Sequence, residues 1–178
     1  MIRHWTEAEL AEELRKLTII VDSKEKVYYH IQKYLQTNKI PHKVRNLETG
    51  DYTAMIGNLS LENDVVIERK ANIEEVCGNF TADRLRFERE FIRAKATGIH
   101  IYWIIENCTW SDIFLGNYKS KLSSKSLTGS ILSWLARFPV TLIFCKPEET
   151  PRLIHGILHY YAREQLLNGD CYGVRGQP

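Results

Sequence analysis

Residues 50–70 read GDYTAMIGNLSLENDVVIERK, and the fold turns on them. Gly50-Asp51-Tyr52 is a tight turn entering a strand. Val65-Val66-Ile67 is the apolar run of a buried strand, and it stops abruptly at Glu68-Arg69-Lys70. Side chains two residues apart on an extended chain point to one face, so Glu68 and Lys70 emerge together at the edge of a core. Asp51 brings a second carboxylate beside them. Two turns compete in between, Gly57-Asn58 and Glu62-Asn63-Asp64, and the register of the hairpin stays open.

Upstream, Thr6 with Glu9 is a capping-box pattern that opens a short helix through Lys16. The β-branched run Thr18-Ile19-Ile20-Val21 is a buried strand ending at Asp22. Ser23 is expected to cap the next helix, whose apolar face is Val27, Ile31, Tyr34 and Leu35. A second strand follows Pro41, over 42–47. Downstream of Lys70 the period becomes helical, with a short helix over 73–77 that Gly78-Asn79 stops. Residues 81–95 carry two apolar rows, Leu85/Ile92 and Phe87/Phe91/Ala94, with Arg86, Arg89 and Arg93 a solvated face beside Glu88 and Glu90. An apolar strand over 99–105 ends at Glu106. The Lys/Ser-rich stretch 117–126, with Lys119, Lys121 and Lys125, is the expected mobile loop. An amphipathic helix with Trp134 (131–138) and a strand (140–145) precede Thr150-Pro151, which starts a helix running to Leu167 before Gly169.

This alternation defines a single α/β domain with a central mixed β-sheet flanked by helices. The chain divides into an N-terminal helix (1–17), the domain proper (18–167) and a flexible tail (168–178). A net charge of +2 does not by itself announce a nucleic-acid partner. The cysteines at 77, 108, 145 and 171 form no CxxC pair, which argues against zinc and for reduced thiols in a cytoplasmic, intracellular protein. The N-terminus is not a signal peptide, and no apolar run has membrane-spanning length.

Strand ends at Asp22, Glu68 and Glu106 put carboxylates where open α/β sheets bind their ligands. Hydrolysing a phosphodiester calls for an activated water, a stabilised negative centre and a neutralised leaving group. Mg²⁺ serves all three needs through hard oxygen ligands. Asp51 and Glu68 would supply two such ligands and Asp22 would complete the acidic cluster. Lys70 would orient or help deprotonate the water and offset phosphate charge. Glu68 and Lys70 alone would read more simply as a salt bridge at an exposed strand end.

The fuller string, Val21-Asp22-Ser23-Lys24-Glu25, then Gly50-Asp51-Tyr52, then Glu68-Arg69-Lys70 with Glu74 following, resembles the XPF family of structure-specific endonucleases. Arg84-Leu85 is similar to a further segment of that family, with Asp83 where Gly is usual, and Tyr102 to Glu106 to its next strand. The resemblance covers roughly residues 18 to 165 and implies a restriction-endonuclease-like nuclease core that cuts branched or flap-containing DNA with Mg²⁺ or Mn²⁺. It implies Asp51 and Glu68 as metal ligands with Asp22 as their acidic partner, and Lys70 as the catalytic lysine. Arg69 would order the site or touch phosphate. Lys24 stands where the family has Arg and Glu74 where it has Asp; with Glu25 these are supporting residues. Arg84, Lys119, Lys121 and Lys125 are the DNA-contact candidates. A helix-hairpin-helix module is not expected after Leu167. Substrate choice would then rest on the core, a heteromeric partner or a homodimer, pairing through the 131–138 region and the last helix. A catalytically silent scaffold on the same fold, or a sequence-specific restriction-type enzyme, are the rival readings.

Overall fold

The computed structural model describes residues 5–26 and 28–168. Val27, Gly169, Cys171 and most of the tail expected over 168–178 lie outside the described residues. The elements run α1 (Glu7–Leu14), β1 (Leu17–Asp22), α2 (Tyr29–Thr37), β2 (His42–Arg45), β3 (Tyr52–Ile56), β4 (Leu59–Ser60) and β5 (Val65–Lys70). They continue with α3 (Ile73–Phe80), α4 (Arg84–Thr97), β6 (His100–Glu106), α5 (Trp110–Leu115), α6 (Ser124–Arg137), β7 (Val140–Cys145) and α7 (Thr150–Asn168). A seven-stranded sheet takes the order β2-β1-β3-β5-β6-β7, with β4 paired to β3. The β5–β6–β7 half is parallel, β3 is antiparallel to both β1 and β5, and β1 is parallel to β2. It is a mixed sheet in one α/β domain.

Both competing turns are used. Gly57, with φ at +57°, turns β3 into the two-residue β4, and residues 61–64 then turn the chain into β5. The short strand β4 pairs with β3 between the two turns.

Each sheet face has its own core. One gathers Val21, Tyr52, Val65, Ile67 and Ile104 under α1, α2 and α7; the other gathers Val66, Ile101, Trp103 and Ile105 under α3, α4 and α6. The second is an aromatic stack in which Phe87 lies on Trp134 at 4.9 Å and Phe80, Phe91 and Trp103 meet them edge-on or tilted. Leu10 and Leu14 of α1 belong to the first core, and the Thr6–Glu9 capping box forms as read.

Several sequence expectations need correction. Ser23 does not cap α2, which starts at Tyr29 without a side-chain cap. Gly78 and Asn79 do not end α3; they lie inside it, because Asn79 and Phe80 turn inward to the core. Only one apolar row of α4 is buried, since Leu85 and Ile92 are exposed while Phe87, Phe91 and Ala94 pack inside. The Lys/Ser-rich stretch is fastened, not loose. Lys119 N–H donates to Glu74 at 3.1 Å, the Tyr118 hydroxyl to Leu122 carbonyl at 2.9 Å, and Ser123 caps α6, so that Lys125 is helical. Helix α5 was not expected, although Thr109 and Asp112 form its capping box. In the region read as a pairing surface, Ile131, Trp134 and Phe138 are core residues, leaving Leu132 exposed.

Candidate active site

Strand parity builds the site. Val65 and Ile67 face the α1/α2/α7 side and Val66 the α3/α4 side, so Glu68 and Lys70 follow Val66 while Arg69 follows Ile67. Tyr52 pairs with both Val21 and Ile67, which turns the neighbouring Asp22 and Asp51 toward the face of Glu68 and Lys70. All four line one cavity of about 160 Å³, together with Lys24, Glu48, Asn79, Arg86, Phe87 and Glu90. A larger, mostly apolar groove of about 1020 Å³ runs between β7 and α7 past Tyr102, Ile143, Leu153 and Ile157. Its size comes from the uncovered edge strand, and the convergent carboxylates are in the small cavity.

Within that cavity Lys70 Nζ donates to Glu68 Oε1 at 2.6 Å and sits 5.2 Å above the Phe87 ring. Asp51 Oδ2 accepts the Arg69 N–H at 2.7 Å, and Asp22 Oδ1 accepts the Leu47 N–H at 3.0 Å. Burial, and then the Glu68 carboxylate, hold the Asp51 carboxyl well above the usual carboxylate range. Burial would lower Lys70, but Glu68 and Asp51 outweigh it and keep the ammonium strongly protonated. Burial and Glu68 also raise Glu90. Like charges gathered out of water in this way are stabilised by a cation.

The donor set fits a hard divalent ion held by few protein ligands, with water filling the rest of the shell. Among the described residues no three Asp, Glu, His or Cys side chains are arranged to hold one ion. Asp22, Asp51 and Glu68 line the same cavity, and Asp22 holds the 47–50 turn through its Oδ1.

Arg69 lies on the opposite face. Its Nε and Nη2 donate to Glu106 at 2.9 and 2.8 Å, and its Nη1 donates to Glu25 at 2.8 Å. Only 5% of its side chain is exposed, and its guanidinium is held between Glu106 and Glu25. Burial would raise Glu106, but hydrogen bonds from Arg69, Thr150 and His30 outweigh it and lower its carboxyl. Glu25 is raised, by burial above all.

The remaining candidates lie outside the cavity. Glu74 accepts from Lys119, and Lys119, Lys121, Lys125 and Arg84 are exposed residues that do not line it. Arg86, read from the sequence as solvated, is the arginine at the rim. Glu90 and Asn79 had no reading as site residues. The spacing of Arg86 and Glu90, one helical turn apart beside buried Phe87, was the available signal.

Gly50 closes the turn that aims Asp51. Its φ is +72°, and a Cβ there would sit 2.8 Å from Val66 Cβ and 3.1 Å from Ile67 O. Left-handed backbone and overpacking together predict that Gly50→Ala loses about 2 kcal/mol or more in urea unfolding. An unchanged midpoint would contradict this account of the turn.

The ERCC4 domain matches residues 21–157, most of the chain. This chain belongs to the ERCC4 domain family. The ERCC4 chain is also similar in structure to XPF from Aeropyrum pernix, with a TM-score of 0.62 and 18% identity over 90% of this chain and 67% of that one. At that identity the likeness speaks for the fold. No curated protein matches the chain. The XPF-type nuclease core that the GD turn and ERK tripeptide suggested is the architecture found. No helix among the described residues is long and apolar enough to cross a membrane.

Proposed function

We propose that this nuclease core hydrolyses phosphodiester bonds in branched or flap-containing DNA, using Mg²⁺ or Mn²⁺ held at Asp51 and Glu68. The observation that carries the reading is one cavity shared by Asp51, Glu68 and Lys70, in which burial and the neighbouring Glu68 leave Asp51 short of positive charge. A divalent cation bound there would supply Lewis-acid polarisation of the phosphate and a more acidic water. Asp51 and Glu68 hold that charge on the strand edge. Lys70, kept protonated by Glu68, acts as a fixed ammonium that orients the water and offsets charge developing on the phosphate, and it is not the free base. Phe87 forms an apolar wall of the cavity beneath Lys70. Arg69 fixes the turn, since its backbone N–H restrains the Asp51 carboxylate while its guanidinium is locked behind the sheet. Lys24 and Arg86 at the cavity wall supply positive charge for the strand backbone. Asp22 assists by holding the 47–50 turn. The choice of DNA structure falls to surfaces around the cavity, to a second copy, or to a heteromeric partner inside the cell.

The test incubates the purified chain with flap, fork, junction and linear duplex DNA, with Mg²⁺ or with EDTA. Metal-dependent cutting of branched substrates is expected. Binding without cutting would favour a silent scaffold, and cutting of linear duplex at defined sequences a restriction-type enzyme.

A further inference from the structure

Exposed aromatic surface and exposed ammonium groups occur together on one segment, 107–125, which has no part in the arrangement of Asp51, Glu68 and Lys70. On α5 the Trp110 and Phe114 rings lie with centroids 5.6 Å apart and planes 21° off parallel. Phe144 of the edge strand β7 braces Trp110 edge-on at 5.3 Å. Near-parallel rings at that separation are offset, which leaves ring face uncovered, and Phe114 is 58% exposed. The same segment carries three lysines, the exposed Lys119, Lys121 and Lys125, against one carboxylate, Asp112. Asp112 is taken up in the capping box with Thr109 that starts α5.

Hydrogen bonds tie this segment to the strand that carries the cavity. Asn107 Nδ2 donates to the carbonyl of Ala71, the residue after Lys70, at 3.4 Å, and Lys119 N–H donates to Glu74 at 3.1 Å. Ser124 Oγ donates to the Phe114 carbonyl at 2.9 Å, which holds the start of α6, and Lys125 with it, against α5. A groove of about 580 Å³ on the β7 side of α5 carries Glu148 and Glu149 and disfavours a polyanion. The favourable path therefore runs from the ring stack along the lysines toward Glu74 and Ala71. Ring faces beside ammonium groups suit unpaired bases and their phosphates, whereas bases within a duplex have no free face to offer. We infer that the Trp110–Phe114 stack with Lys119, Lys121 and Lys125 binds a single-stranded DNA arm leaving the cavity. Its bases stack on the exposed Phe114 side and its phosphates meet the lysines. The inference deepens, and rests on, the DNA reading of the cavity.

The experiment measures binding of the intact chain in EDTA to a labelled oligothymidylate of about ten nucleotides and to a blunt duplex, by fluorescence anisotropy over a salt series. It compares the parent with Phe114→Ala, Trp110→Ala and the double variant Lys119→Ala/Lys121→Ala. Melting verifies folding, and sedimentation gives the oligomeric state. Phe114→Ala and Trp110→Ala are expected to weaken oligothymidylate binding about fivefold or more and to leave the duplex within about twofold. The lysine variant should lower the oligothymidylate salt slope by about 1.4, at about 0.7 for each of two phosphates. Oligothymidylate affinity in Phe114→Ala within about twofold of the parent overturns the platform, as does a parent that does not bind this strand. A parental dimer that Phe114→Ala splits, with DNA binding unchanged, also overturns it and makes the patch a contact between copies. Loss of oligothymidylate binding in Phe114→Ala, from a parent that cuts no branched DNA in Mg²⁺, sustains the platform and sinks the nuclease reading alone. Should Trp110→Ala fail to fold, Phe114→Ala decides by itself.

Discussion

Asp51→Asn is expected to reduce DNA cleavage roughly a hundred- to a thousandfold and, in EDTA at neutral pH, to raise the melting temperature. Both effects come from one charge. The Asp51 carboxyl is buried beside Glu68, which holds it well above its ordinary value of 3.8. A folded-state value above the unfolded one means that folding favours the proton. Metal-free stability therefore falls as pH rises through 3.8 toward the raised value, and the wild-type carboxylate opposes folding at neutrality. Asparagine keeps an oxygen for the Arg69 N–H, now 2.7 Å from Asp51 Oδ2, and removes the repulsion. The gain should fade as the pH is lowered below about 4, where aspartate is neutral in both states. Melting curves across this range in EDTA, paired with cleavage assays in Mg²⁺, measure the two effects. Parental cleavage, or lower neutral-pH stability with the fold retained, would remove Asp51 from the role given to it.

The second large effect lies behind the sheet. Glu106→Ala should cost about 3–5 kcal/mol, because it leaves the Arg69 guanidinium buried with Glu25 as its remaining carboxylate partner. The geometry is of the strong kind: two parallel N–H donations at 2.9 and 2.8 Å, with Glu106 also within 3.0 Å of His30 Nε2. The pH dependence has the opposite sign to that of Asp51. Glu106 is lowered from 4.5, so its contribution is fully present above that value and is lost as pH falls through the lowered one. Glu106→Gln should flatten this acid limb of the stability curve. A urea midpoint for Glu106→Ala that shifts by less than the equivalent of about 1 kcal/mol would show that the pair is replaceable. Activity should fall with stability here, since Arg69 is covalently between Glu68 and Lys70 and its N–H restrains Asp51.

These two predictions concern residues that the sequence singled out, yet it separated their roles only in part. Glu68 and Lys70 could be put on one face because the two-residue period of a strand is a local property of the backbone. The same rule extends to Arg69, but its partner cannot be read locally, since Glu106 lies 37 residues away on the neighbouring parallel strand. Placing both on the α1/α2/α7 side needs the β5–β6 register, which sets Lys70 opposite Ile105.

The α/β alternation, the buried strands, the capping box at Thr6 and the GD and ERK motifs were written in the sequence, because hydrophobic period and capping chemistry act within a few residues. The order and direction of strands, the use of both hairpin turns, and the choice of one apolar row on α4 over another came only from tertiary packing. That choice matters most for the site. Burying Phe87 and Phe91 in the aromatic stack places Glu90 on the acidic cavity with the exposed Arg86 at its rim, and leaves Leu85 in solvent. Helical periodicity offers both rows equally, and only the shape of the opposing sheet and α6 selects between them.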